Sequence, residues 1–98
     1  MDDEWTQEQD IAYDCACAAI GDVMSILMWE IYEEEKKPQP DAKRLESLNA
    51  EHLRLHRERK NLHFDEHEKI AQVRKKYGEF VRNWDAENHA RLLGSLSN

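Results

Sequence analysis

The stretch HLRLHRERKNLHFDEHEK, residues 52–69, decides how this chain folds, because it either continues one long helix or divides it. Neither glycine nor proline occurs from residue 42 to residue 77, so no residue there forces a stop. At about 100° per residue, Leu45, Leu48, Leu55, Leu62, Ile70, Val73, Tyr77, Val81 and Trp84 all fall within an arc of roughly 100°. Two unrelated helices have no reason to share that phase. His52, His56, Arg59, His63 and His67 fall in or beside the same arc, so they are expected to form the polar waist of a helix interface. The second helix is therefore expected to run unbroken from about residue 42 to about residue 93.

One rival signal stands in the same stretch. Asp65-Glu66-His67-Glu68 has the form of a capping box, with Asp65 at N-cap, Glu68 at N3 and Phe64 available as a staple. A break near residues 63–65 would turn the helical hairpin into a three-helix bundle. The continuous helix is preferred, because short motifs of this kind recur by chance and residues 62–65 hold no glycine or proline.

Upstream, residues 5–36 read as a first helix. From Ile11 to Tyr32, 17 of 22 residues are apolar, counting alanine. Asp14, Ala18, Asp22 and Ser25 mark its one solvent-facing strip. The remaining apolar surface is wider than the roughly 100° stripe of a helix lying on a core, so one partner helix cannot cover it. Pro38 and Pro40 end this helix, and Asp41 is a good N-cap for the next. An antiparallel hairpin centred near residue 38 sets residue i opposite roughly residue 76 − i, which brings Arg59 to the Cys17 region and His63 to Tyr13. Gly94 is expected at the C-terminal stop of the second helix.

These elements make a single all-α domain over residues 1–98. An unbroken second helix would be at least about 60 Å long at 1.5 Å per residue. Ile70, Val73, Tyr77, Phe80, Val81 and Trp84 would then overhang the first helix, and a second copy of the chain would have to cover them. The wide apolar face of the first helix also lacks a second partner, so a homodimer is the expected assembly whether or not the second helix breaks.

Charge is unevenly placed. The net charge is −7. Residues 1–42 hold twelve Asp/Glu against two Lys, and residues 43–98 hold twelve Lys/Arg against nine Asp/Glu. A general nucleic-acid binder is more often basic overall. Residues 54–76 carry eight basic and four acidic side chains with the signs interleaved, which reads as a solvated helical face.

Little in the chain points to catalysis. His52/His56 and His63/His67 have i,i+4 spacing, but about 16 Å separates the pairs along a helix, so they cannot share one ion. No Glu-x-x-His occurs, nor a glycine-rich phosphate loop or nucleophile elbow. Cys15 and Cys17 lie two apart in an apolar helix, where they cannot bridge each other, and are read as buried free thiols of a reducing compartment. Asp14, Asp22 and Glu30 interrupt the apolar run at a cost of about 3 kcal/mol each at mid-bilayer, so a membrane span is not expected. No cofactor and no metal are expected, and the cytoplasm is the expected location.

What remains is binding to another protein. Trp5, Trp29 and Tyr32 are aromatics not all required by a core stripe, and they are the candidate anchors for a partner or for the dimer. The expected function is that of a non-enzymatic regulator or inhibitor, of the kind found among toxin-neutralising and phage-encoded proteins. The alternatives are a nucleic-acid-associated protein using the basic side of the long helix, and an acidic mimic of nucleic acid.

Overall fold

The computed structural model describes residues 7–96, with side chains through Asn88. Helix α1 spans Gln7–Glu35, α2 spans Ala42–Asn61 and α3 spans His67–Leu96. No strand occurs among the described residues. The chain is elongated, with a radius of gyration of 16.6 Å against about 13 Å for a compact domain of this length.

The Pro38–Pro40 turn forms where the sequence places it. Asp41 adopts an extended backbone, and its carboxylate accepts the N–H groups of Lys43 and Arg44 at 3.0 and 3.2 Å. Those amides have no partner inside the helix, which is why a short acidic cap stabilises the start of α2. The hairpin sets Tyr13 beside Leu62, Glu30 beside Arg44 and Glu34 beside Asp41. That is the antiparallel register implied by a turn centred on residue 38.

The second helix is not continuous, which corrects the preferred expectation. It stops at Asn61, and Leu62 turns extended at φ −77° and ψ 124°. The Glu66 N–H donates to the His63 carbonyl at 3.1 Å, and the His63 N–H donates to Glu66 Oε1 at 2.9 Å. The Ile70 N–H then bonds the Glu66 carbonyl at 2.8 Å and opens α3. The boundary thus falls on Glu66, one residue beyond the Asp65 cap read from the sequence. At the far end α3 runs through Gly94 to Leu96, so Gly94 does not act as a stop.

Burial explains why the break wins in a single chain. Folded back, Ile70, Val73 and Tyr77 retain only 3–4% exposure. Burying such side chains stabilises by about 1.5–3 kcal/mol each. The helical hydrogen bonds given up across the break are worth about 0.5–1.5 kcal/mol each, and turn bonds replace some of them. The first sum exceeds the second.

The core lies between α1 and the other two helices. Ala16, Ile20, Val23, Met24 and Leu27 of α1 meet Leu55 and Leu62 on one flank and Ile70, Val73 and Tyr77 on the other. Helix α1 packs against both α2 and α3. The wide apolar surface of the first helix therefore has two covers, as its breadth required. By length and composition α1 is also apolar enough to cross a membrane, but Ala16, Ile20, Val23, Leu27 and Ile31 are buried and Asp14 and Asp22 are exposed on its other side.

Candidate protein-binding surface

With α2 and α3 covering one side of α1, the other side is open. Asp14, Cys15, Ala18, Asp22 and Ser25 are exposed along it. Three large apolar side chains join them, Ile11, Met28 and Tyr32, each more than half exposed. Ile11 and Tyr32 are about 30 Å apart along the helix at 1.5 Å per residue. The face is thus apolar and small in its middle, with carboxylates and no lysine or arginine until Lys36.

The strip of Asp14, Ala18, Asp22 and Ser25 was legible as solvent-facing. Tyr32 projects from the same side, with the Lys36 ammonium 4.7 Å from its ring centre. Trp29 turns to the edge of the face and meets Trp84 of α3 edge-on, with ring centres 5.7 Å apart. Trp5 lies outside the described residues.

An ionic cluster fixes the end of α1 where this face finishes. Glu34 is buried, and its carboxylate accepts the Asp41 N–H and the Lys37 ammonium, both at 2.9 Å, with Arg44 Nε at 3.3 Å. The Asp41 N–H first, and Lys37 second, hold the Glu34 carboxyl below its ordinary range. Arg44 also reaches Glu30 at 2.9 Å, and the other Glu30 oxygen accepts the Trp84 indole N–H at 3.3 Å. Glu30, Glu34, Lys37 and Arg44 line a pocket with Trp29, Glu33 and Lys36, and Lys36 pairs with Glu33 at 3.0 Å. Its charges are already matched, so it offers no unpaired group to a ligand.

A second polar cluster joins α2 to α3. The buried Tyr77 hydroxyl donates to Glu58 Oε1 at 2.6 Å, and Arg54 Nη1 reaches the same oxygen at 3.1 Å. Arg54 also pairs with Glu51, whose carboxyl is lowered chiefly by that hydrogen bond.

The expected histidine waist is divided by the break. His52 and Arg59 are partly buried on α2, while His56, His63 and His67 are exposed. Arg59 lies across α1 at Gly21, where an added Cβ would stand 3.2 Å from its guanidinium. The arginine thus meets α1 four residues beyond Cys17, the expected contact. Among the described residues no three His, Cys, Asp or Glu side chains converge as a metal site. Cys15 and Cys17 are free thiols, but Cys15 is exposed and Cys17 partly so, which corrects their reading as buried.

Glu34 and Trp84 are the residues that sequence reasoning missed. An acid at a helix C-terminus counts as unfavourable by the helix dipole alone, and nothing local shows that a turn will bring an amide to it. The sequence alone sets Trp84 on an overhang, because its contact with Trp29 needs α3 folded back.

The sequence matches no family model, no curated protein is significantly similar to it, and no solved structure matches its fold.

Proposed function

We propose that this chain is a non-enzymatic, cytoplasmic binding protein whose outward face of α1 docks on another protein. The observation that carries this reading is the exposure of Ile11, Met28 and Tyr32 on one side of a helix whose other side is fully used by the core. Aromatic and methionine side chains in such a setting are the usual anchors of protein interfaces. Asp14 and Asp22 on the same face favour a partner surface that carries lysine or arginine. Small size and acidity suit a regulator or inhibitor of that partner.

The face does not favour a second copy of itself. Two α1 helices pressed together, parallel or antiparallel, would set Asp14 and Asp22 against the same acids. The overhang, one of the two reasons for a dimer, is also gone, because Ile70, Val73 and Tyr77 are buried within the chain. The basic residues of α2 and α3 support nucleic-acid binding less well, since they are interleaved with acids along both helices and Arg54 and Lys69 are paired with Glu51, Glu58 and Glu66.

Affinity capture from native cells with three baits tests the proposal. Wild type and Leu53→Glu, altered at an exposed leucine of α2, should retain the same protein. Met28→Glu/Tyr32→Glu should lose it by tenfold or more. Equal retention by all three would contradict the assignment.

A further inference from the structure

The geometry points to exchange of α3 between two copies of this chain, with α1 of each copy receiving the α3 of the other. The starting observation is the mismatch between the connection and its surroundings. The apolar residues of α2 and α3 keep one helical phase from Leu45 to Trp84, yet the chain reverses between them at Leu62–Glu66. Within that connection stand Leu62, His63, Phe64, Asp65 and Glu66, none of them glycine or proline, and every one can adopt helical backbone.

The turn of the reversed form carries the Glu66–His63 pair of hydrogen bonds and the Leu62 N–H on the Arg59 carbonyl at 3.3 Å, with Tyr13 donating to the Leu62 carbonyl at 3.3 Å. Leu62 is buried in the core, while His63 and Asp65 are exposed. Helices α2 and α3 meet through side chains, chiefly Tyr77 with Glu58 and Arg54, while the core of α3 rests on α1. Opening the connection therefore gives up bonds local to the turn, while the contacts of α3 with α1 and α2 are ones that a partner restores.

When the connection becomes helical, residues 42–96 form one rod about 80 Å long at 1.5 Å per residue. Its first half stays on its own α1. Its second half carries Ile70, Val73 and Tyr77 to the partner's α1, where they regain the contacts they make in the single chain. A stripe that faces one way along the rod suits this arrangement, because the two α1 helices can lie end to end on the same side of it. Exchange of an identical element between protomers is a low-cost route to a two-fold dimer, and the outward face of α1 stays open in it. The connection also gains the hydrogen bonds of helix interior that the turn lacks.

Two substitutions move the equilibrium in opposite directions. Glu66→Ala removes the acceptor of the His63 N–H and should raise the dimer fraction several-fold at a given concentration. His67→Pro places proline at the first residue of α3, where the closed form tolerates it and a continuous helix does not. That variant should keep the helical circular dichroism of the wild type and stay monomeric.

The deciding experiment combines light scattering with a distance measurement by pulsed electron paramagnetic resonance. Nitroxides are placed at Leu53→Cys and Phe80→Cys, both exposed positions, in a Cys15→Ser/Cys17→Ala background. Labelled chain is diluted into unlabelled chain so that only intrachain distances are read. The expected result is a concentration-dependent dimer with a distance near about 40 Å, the rise of 27 helical residues. A monomer at every concentration up to the millimolar range overturns the proposal. So does a dimer whose intrachain distance stays at the short value of the folded-back chain, or a His67→Pro variant that dimerises as the wild type does.

Discussion

Glu34, the second-last residue of α1, accepts the backbone N–H of Asp41, the N-cap of α2, at 2.9 Å. One buried carboxylate thus ties the end of one helix to the beginning of the next across the proline turn. Arg44 and Lys37 close on the same group, so the turn is set by charge as well as by proline.

This tie makes stability depend on acid. The Glu34 carboxyl titrates below its ordinary value of 4.5 in the folded chain. Its contribution is therefore complete above that value and is lost as pH falls through the lowered one. Glu34→Gln should melt below the wild type at pH 7, and the gap should shrink towards pH 3. Melting curves of both proteins across that range check it, and a gap of constant size would show that the charge is not what matters.

Leu55 and Leu53 are near neighbours on α2 with opposite fates. Leu55 is fully buried between α1 and the rest of the core, whereas Leu53 is 47% exposed. Leu55→Ala should cost about 2–5 kcal/mol, and Leu53→Ala should stay within about 0.5 kcal/mol of wild type. Urea unfolding at one pH measures both. Similar losses at the two positions would mean that α2 is rotated from the orientation described.

The folded-back position of α3 has its own marker. Tyr77 is buried and donates its hydroxyl to Glu58 at 2.6 Å across the α2–α3 junction. Tyr77→Phe keeps the ring and removes the bond, so it should cost about 1–2 kcal/mol. In a Glu58→Gln background the same change should cost measurably less, because the charge-assisted part of the bond is already gone. Equal costs in both backgrounds would place Tyr77 elsewhere.

Much of this molecule is legible in its sequence. The solvent strip of α1, the Asp41 cap and the hairpin register follow from residue type and period, which are local. The break at Leu62–Glu66 was not, because the stripe keeps its phase across it and the capping signal sat one residue away from the true boundary. What decides the break is the burial of Ile70, Val73 and Tyr77 on α1, a contact between residues some fifty positions apart that no window of sequence contains. The same distance hid the pairing of Trp29 with Trp84, whereas the Asp41 amide that reaches Glu34 is only seven residues away and is brought there by the turn itself. Of the candidate site, Tyr32 emerged on the open face as a large exposed aromatic, while Trp29 is engaged at its edge within the chain.

Cys15 gives the most direct test of the binding face. Its thiol is exposed on the outward side of α1, one turn from Ile11 and beside Asp14 and Ala18. In a Cys17→Ala background, the alkylation rate of Cys15 is measured for the isolated chain and for the complex captured from native cells. Cys15 should react freely in the isolated chain and at least tenfold more slowly in the complex. An unchanged rate in a complex shown to be intact would contradict it, and would place the partner on some other surface.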